Sequence, residues 1–338
     1  MITLENSIMR KGRAATAGSK ILENFVSPFD AAVVERLALG GLSISDTPVN
    51  SHEFGVPELF DGGSAPLDIP SGTALCNDVL GVYRKHAALN GLCYIHPTYG
   101  TVSRYGLIPL AASMDQIGVL CRDMREGFKT LESIAGHDSR DGAMLPDKNY
   151  GYAPSARSPK IGLPDCSKNL DPGKLETVGV TLPHFDVYKQ VMYILFAGEL
   201  SNNISRYDGI KFGYRAEGAR GVNDLYLKTR TQGFGLQAKL AAVVGSMVLS
   251  QEKYEPCYEK AMQIRRMIKH GLPFDTCDVI ALPYSLGGSH YDDLALYALP
   301  ALAGLPCVSF SHKGQGLLLV ADARNEGALL SAWEVLTA

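Results

Sequence analysis

Short apolar runs, separated by glycine, proline and helical patterns, constrain the fold of this sequence more than any other feature. They lie at residues 160–163, 178–182, 279–282, 307–310 and 317–320. Runs of this length that are rich in Val, Ile and Leu are typical of buried strands. Strands interleaved with helices predict an α/β fold with a mixed sheet that helices cover on both faces.

Two helices in the first half of the chain are predicted from their end signals. Asp30 is expected to cap a helix that runs through Leu39 and ends at the following glycine pair, with a short strand at 42–44. Asp123 and Glu126 form a second start signal, for a helix that ends at the glycine of residue 136.

Two further helices are predicted in the second half, and the whole chain, 1–338, is predicted to be a single domain. Residues 188–204 are apolar on nearly every side, which indicates a buried helix. Residues 259–270 carry only a partial apolar stripe, which indicates a half-exposed one. Residues 138–158 mix proline, glycine and charge, so we expect a long surface connection there.

The charge of the chain argues against nucleic acid as its main partner. Lys and Arg together number 32 and Asp and Glu 35, which gives a net charge of -3. A chain with this balance has no overall positive field to hold RNA or an anionic membrane. RNA contact would have to be local, for example at the basic pairs Arg10-Lys11 or Arg265-Arg266, so an RNA partner is not favoured.

Hydropathy and cysteine spacing set the expected compartment and exclude some kinds of site. No apolar run approaches the roughly 20 residues that span a bilayer, so no membrane association and a cytoplasmic location are expected. The seven cysteines are scattered and never spaced as C-x-x-C, which is not typical of a disulfide framework or a zinc site. We therefore predict no metal and no cofactor.

Three longer segments resemble one family. They are SKILENFVSPFDAAVVERL at 19–37, HPTYGTVSRYGLIPLAASMDQIGVLCRDM at 96–124, and SRYDGIKFGYRAE at 205–217. They are similar to the amidase-signature family, and within it to the A subunits of glutamyl-tRNA(Gln) amidotransferases. The resemblance implies that family's fold, with a mixed and mostly parallel sheet, but without its N-terminal helices and some peripheral ones.

The resemblance also implies which residues stand at the family's catalytic positions. Members use a serine nucleophile, a bridging serine in a cis peptide and a lysine, because a hydroxyl attacks an amide only after a base takes its proton. In this sequence the nucleophile falls on Val82, the bridging serine on Phe60 and the lysine on Glu5. Valine offers no nucleophilic atom, so catalysis by the family mechanism is not expected.

Some neighbouring residues match the family and could form a residual pocket, while others depart from it. Leu80 replaces a glycine of the oxyanion loop, and Leu240-Ala241 stands where the family has an arginine pair. We expect Phe60, Leu80 and Val82 to fill the former catalytic pocket. The residues assigned to the residual pocket are Asp61, Gly62, Gly63, Asp78, Gly81 and Arg84.

Two functions remain open from the sequence. The first is a degenerate, non-catalytic member that binds a protein partner, a second copy of itself or a small molecule. The second is an enzyme with altered amide-related chemistry, hydrolase or amidotransferase, on the same scaffold. Its candidate groups are the carboxylates of Glu5, Asp61 and Asp78 and the imidazoles of His86 and His96. Cys76 and Cys93 lack an identified basic partner and are interpreted as core residues.

Overall fold

The computed structural model describes residues 1–60, 72–146 and 150–338. Within these ranges nine strands form one sheet. The strands are β1 (Ile2–Leu4), β2 (Thr73–Asn77), β3 (Cys93–His96), β4 (Ile117–Cys121), β5 (Ile161–Leu163), β6 (Thr177–Gly179), β7 (Val279–Pro283), β8 (Cys307–His312) and β9 (Gln315–Ala321). The five apolar runs of the sequence thus all belong to strands, although β6 is displaced toward the N-terminus of its run.

The sheet is mixed, as predicted, and its strand order is β1-β2-β4-β3-β8-β9-β7-β5-β6. The expectation of a mostly parallel sheet is wrong for the described strands. Only β1–β2, β5–β6 and β5–β7 pair in parallel, whereas the other five pairs are antiparallel. Apolar runs report that a strand is buried but not which way it points, so strand direction was not readable from them.

Helices cover both faces of this sheet. They are α1 (Ala32–Leu39), α2 (Val82–Leu89), α3 (Met124–Ile134), α4 (Tyr188–Ile204), α5 (Val222–Gly233), α6 (Leu236–Val248), α7 (Lys260–His270), α8 (His290–Ala303) and α9 (Glu326–Thr337). Helices α1, α3 and α9 contribute to one apolar core, and α4, α6 and α8 contribute to the other.

The central strands are apolar throughout because each of their faces lies against a different core. In β7, Val279 and Ala281 belong to the core with α1, α3 and α9, whereas Ile280 and Leu282 belong to the core with α4, α6 and α8. Successive side chains of a strand point to opposite faces, so a strand covered on both sides needs an unbroken apolar run. This burial explains why the sequence pattern located these strands correctly.

The predicted start of α3 is confirmed in detail. The Asp123 side chain accepts a hydrogen bond from the backbone N–H of Glu126, and the helix ends at Ile134, just before the predicted glycine stop. Helix α4 spans the residues predicted for the buried helix, with most of its side chains buried. Helix α7 also matches its predicted range to within one residue.

Two local predictions near the N-terminus are wrong. Helix α1 is preceded by Ala31 rather than capped by Asp30, whose Oδ1 instead accepts the backbone N–H of Lys11 at 2.7 Å. The predicted strand at 42–44 is reduced to one bridge between Ile44 and Ile2. The side chain of Asp30 could have capped α1, but it forms a hydrogen bond with a residue distant in sequence instead.

The irregular segment at 138–158 contains no helix or strand in its described parts, 138–146 and 150–158. It is nevertheless tied to the fold at two points. Asp141 forms an ion pair with Arg104 at 2.6 Å, and Tyr152 packs on Phe128 with ring centroids 5.8 Å apart. Among the described residues, no helix is long and apolar enough to cross a bilayer.

Candidate functional site

Two of the positions assigned to catalytic groups lie at the edge of the sheet where β1 and β2 end. These strands are parallel neighbours, so their carboxyl ends meet. Glu5 directly follows β1, its side chain is buried with 1% exposure, and its Oε2 accepts the backbone N–H of Asn77 at 2.5 Å. The carboxyl group at the assigned lysine position therefore ties the ends of the two strands together.

A tight loop leads from β2 into α2 and places Val82 at the first position of that helix. Asp78 Oδ1 accepts the backbone N–H of Tyr83 at 3.2 Å, and Oδ2 accepts that of Arg84 at 2.9 Å. These bonds satisfy two of the first N–H groups of the helix. Gly81 has φ of +83°, and a Cβ there would lie 2.2 Å from Cγ of Tyr297, so this position admits only glycine.

A buried ion pair fixes the shape of this loop. The Arg84 Nε donates to Asp78 Oδ2 at 2.9 Å, and the two side chains are 0% and 1% exposed. Nη2 donates to the carbonyls of Asp78 and Val79, while Nη1 donates to the carbonyl of Tyr297 in α8. Burial alone would lower the pKa of Arg84, but the charge of Asp78 raises it, so the guanidinium stays charged.

Helix α8 also holds the backbone of Leu80. The Nε2 of buried His290 lies 2.9 Å from the carbonyl oxygen of Leu80, and because a carbonyl only accepts, Nε2 must carry the proton. Burial lowers the pKa of His290, which keeps the ring neutral. His290 and Tyr297 could not be assigned to the site from the sequence, because they lie more than 200 residues from the loop and follow no local signal.

Burial disfavours the charged forms of Glu5, Cys76 and Tyr83. Burial raises the pKa of Glu5 to about 7, despite the opposing hydrogen bond from Asn77. Burial also raises the pKa values of the Cys76 thiol and the Tyr83 phenol well above their usual ranges. Glu5 Oε1 and the Tyr83 hydroxyl have no hydrogen-bond partner among the described residues. The thiol of Cys76 and the phenol of Tyr83 are therefore not ionised near neutral pH.

Only part of the predicted set comes together. Glu5 and Asp78 lie close enough for the charge of Asp78 to raise the pKa of Glu5, and Val82 begins the helix beside them, with 8% exposure. Leu80 is fully buried, and its predicted role in filling the pocket stays a prediction. Phe60 instead is 57% exposed and lies against Tyr291 of α8, with ring centroids 5.3 Å apart. Its predicted role as a plug is therefore wrong.

Comparisons with known proteins identify the family of this chain. A family model described as amidase matches residues 71–173 and 162–291. The A subunit of glutamyl-tRNA(Gln) amidotransferase from Desulfosudis oleivorans is 33% identical over an alignment 401 positions long, which covers 99% of this chain and 82% of that protein. This chain belongs to the amidase-signature family.

Solved structures extend the likeness to the three-dimensional fold. The A subunit of glutamyl-tRNA(Gln) amidotransferase from Thermotoga maritima gives a TM-score of 0.74 at 23% identity, and the match covers 98% of this chain and 81% of that protein. A protein from a vestigial complex that reveals the origins of an s-triazine catabolic enzyme gives 0.78 at 20% identity, with coverage of 99% and 83%. At these identities the likeness establishes the amidase-signature fold.

The remaining polar candidates near this amidase-signature site are buried or lack a reactive partner. Burial lowers the pKa of His96 well below its usual value and raises that of Cys93 to about 12. His86 lies on α2, and burial lowers its pKa as well. Both Cys76 and Cys93 are buried free thiols. No hydrogen bond in the described part of the chain joins either thiol to either histidine, so none of these groups forms a nucleophile–base pair with another.

The acidic candidates do not form an open site in the described part of the chain. Asp78 is paired with Arg84, and Glu5 is only 1% exposed although it lies in the wall of a cavity of about 250 Å³. Asp61, Gly62 and Gly63 lie outside the described residues. No group of three or more His, Cys, Asp and Glu side chains that could hold a metal ion occurs in residues 1–60, 72–146 and 150–338.

The raised pKa of Glu5 predicts an unusual dependence of stability on pH. The neutral carboxyl is favoured in the folded state, so the contribution of Glu5 to stability should be greatest below pH 4.5 and should fall as pH rises toward 7. The loss attributable to Glu5 is about 3 kcal/mol between these limits. Urea unfolding of the wild type and of Glu5→Gln at pH 5 and pH 8 measures it, and the variant should be the more stable protein at pH 8.

Glu132→Gln, an exposed change on α3, is the matched control for this experiment. It should reproduce the pH dependence of the wild type. If the Glu5→Gln profile were parallel to the wild-type profile, Glu5 would not titrate as described.

Removing one member of the Asp78–Arg84 pair should be severely destabilising. Asp78→Ala leaves a buried guanidinium without its counter-ion, which costs about 3–5 kcal/mol. The double variant Asp78→Ala with Arg84→Met should lose less than the sum of the two single changes, because the uncompensated charge is gone. Chemical denaturation of the three variants measures this coupling, with Lys129→Ala, from the exposed Lys129–Glu126 pair, as a near-neutral control. Additive losses would contradict the pairing.

Proposed function

We propose that this amidase-signature protein does not hydrolyse amides by the family's serine mechanism and works in a binding or accessory role within an assembly. The observation that carries the proposal is the valine at residue 82, at the start of α2, the position to which the resemblance assigns the family's nucleophile. Serine amidases form a covalent bond between a hydroxyl oxygen and the carbonyl carbon of the substrate. The methyl groups of Val82 cannot form that bond.

Among the residues that the structure describes, the surroundings of Val82 supply no replacement for the nucleophile. The thiol of Cys76 and the phenol of Tyr83 are kept protonated by burial, which raises their pKa values. The carboxyl group of Glu5 occupies the assigned lysine position and bonds to the backbone of Asn77. These features support a site that retains the family's fold but not the family's amide hydrolysis.

The alternative of acid–base chemistry receives less support. A general acid or base must reach the substrate within hydrogen-bond distance. Glu5 and Asp78 are each only 1% exposed, and Asp78 is already engaged by Arg84 and the backbone of α2. A substrate would have to displace these bonds before either carboxyl group could take part.

The absence of amidase activity is tested by ammonia release. Purified protein should release none from glutamine, asparagine or simple primary amides above the level of a buffer blank, while an intact amidotransferase releases it readily. A fluorophosphonate probe, which labels activated serines, should also leave the chain unlabelled. Release that scales with protein concentration, survives repurification and is abolished by Glu5→Gln would contradict the proposal.

A binding role is supported by an exposed apolar face formed by α5 and α6, here called the α5–α6 face. On α6, Leu236, Leu240, Val243 and Met247 are spaced as one stripe, and each is at least 40% exposed. Leu227 of α5, 68% exposed, extends the face. Contiguous exposed apolar surface of this kind is typical of protein–protein contact. Leu240 stands where the family has an arginine.

A groove of about 500 Å³ runs along this face and has a cationic rim. Arg230 and Lys239 both line it. Arg230 Nη1 donates to the carbonyl of Ser205, and Lys239 Nζ donates to that of Thr231. Neither cation forms an ion pair with a carboxylate in the described ranges. The groove therefore offers apolar surface together with two positive charges that a partner could neutralise.

These features favour an amphipathic helix of another protein that carries carboxylates beside its apolar stripe. A second copy of this chain fits less well. A two-fold contact places the same patch of both copies together, so the cationic rims would lie near each other. The Desulfosudis oleivorans relative is named as a subunit, which supports the expectation that this chain also works in an assembly.

Crosslinking tests this partner. A photoreactive residue placed at Leu240 should capture one discrete protein in extracts of the source cells, while the same residue at exposed Glu252 should not. The captured protein, purified separately, should bind the chain in a one-to-one complex. Val243→Asp should weaken that complex by about tenfold or more, because it places a carboxylate in the apolar stripe.

Salt dependence distinguishes the proposed partner from other occupants. Binding should weaken as salt rises and weaken again in Lys239→Gln, as expected for an acidic partner. A complex that Val243→Asp leaves intact would contradict docking on the α5–α6 face. A native mass twice that of one chain, reduced to one by Val243→Asp, would identify self-association and contradict the heteromeric proposal.

A further inference from the structure

A second, larger cavity lies away from the Glu5 cluster and has a volume of about 780 Å³. One wall of the cavity is a single face of helix α7, which includes Arg265, Arg266 and Lys269. The opposite wall includes Thr98, which follows β3, and Asp322, which follows β9. The carboxyl ends of sheet strands are where α/β proteins commonly bind ligands, and the volume lies in the usual range for small-molecule sites.

The charge of the lining is strongly unbalanced. The described lining residues include four cationic side chains, from Arg265, Arg266, Lys269 and Arg324, and one carboxylate, that of Asp322. Arg324 already interacts with another part of the fold. Arg266 and Lys269 are exposed and form no ion pair with a carboxylate in the described parts of the chain. An excess of cations along a concave surface creates a focused positive potential.

One of these cations is held in place by the fold. Arg265 Nε donates to the carbonyl of Leu302 at 2.7 Å, and its two terminal nitrogens donate to the hydroxyl and the carbonyl of Ser113 at 2.6 and 2.9 Å. The backbone N–H of Ser113 donates in turn to Glu199 at 2.9 Å. These bonds use three of the five N–H donors of the guanidinium, which leaves donors for a ligand on a side chain that is already ordered.

Neutralisation of the helix dipole explains only some of these charges. Lys269 and His270 occupy the last turn of α7, where cations stabilise the carboxyl end of a helix. Arg265 and Arg266 lie a turn earlier, and Arg324 lies on the opposite wall. A single helix end therefore does not account for cations on both sides of the cavity.

The rest of the lining is apolar enough to take an organic group. Met262, Leu145, Leu272 and Phe274 contribute side chains to the cavity, and Tyr99 adds an aromatic ring. We propose that this cavity binds a phosphorylated small molecule of nucleotide size, with its phosphates against Arg266 and Lys269 and its organic part against the apolar wall. Charge-assisted hydrogen bonds from guanidinium and ammonium groups are the usual means of holding phosphate.

Calorimetric titration of the purified full chain with ADP tests the proposal. Saturable binding of one ADP per chain is expected, with adenosine, which lacks the phosphates, binding at least about tenfold more weakly. Arg266→Gln and Lys269→Gln should each weaken ADP binding about tenfold. Lys260→Gln removes the same charge from the same helix outside the cavity, so it should leave the affinity within about twofold of the wild type.

The outcomes distinguish a specific binding site from non-specific attraction of anions to the positive charges. Inorganic pyrophosphate should compete with ADP. Arg265→Gln is a further variant, and circular dichroism checks that it folds. Absence of saturable binding to ADP and to pyrophosphate, or equal weakening by Lys260→Gln, would overturn the proposal. So would a single-stranded RNA that binds more tightly than ADP and is displaced by it, because the cavity would then be part of an RNA-binding surface.

Discussion

The buried ion pair between Asp78 and Arg84 is the interaction on which the site region depends. A guanidinium without solvent contact must find its partners in the protein, and Arg84 finds them in the loop before α2 and in α8. Through these bonds, strand β2 and helix α2 are fixed to helix α8, although Arg84 and Tyr297 lie 213 residues apart in sequence. Gly81 and Tyr297 complete this contact, because the ring occupies the space that any side chain at residue 81 would need.

This arrangement is compatible with the proposed loss of the family's chemistry. The bonds that shape the loop come from Asp78, Arg84 and the backbone, and none of them requires a hydroxyl at residue 82. Glu5 likewise bonds to the backbone of Asn77 from the assigned lysine position. Its carboxyl group is stable there mainly in the neutral form, because burial disfavours the charge and raises its pKa. The proposed replacement of the catalytic groups is thus compatible with retained packing.

The helical layer that includes α4, α6 and α8 has an inner face that forms the core and an outer face that is free to bind. Helix α6 packs on α4 with its small side chains, such as Ala238 and Ala241, and turns Leu240 and Val243 outward. Helix α7 packs on α4 and α8 and turns its cations toward the large cavity. The two surfaces differ in chemistry, one apolar with a cationic rim and the other strongly basic, so they suit different ligands.

The sequence by itself determined the elements whose signals are local. Unbroken apolar runs located the strands buried on both faces, the Asp123–Glu126 pair located the start of α3, and long matching segments identified the amidase-signature family. The resemblance also predicted that Glu5 and Val82 stand at the family's catalytic positions. Tertiary structure alone decided the strand directions, the solvent-exposed placement of Phe60 on Tyr291, and the use of Asp30 by Lys11 instead of α1. It also brought His290 and Tyr297 to the loop. The physical reason is that these features depend on contacts between residues far apart in the chain, for which a local pattern carries no signal.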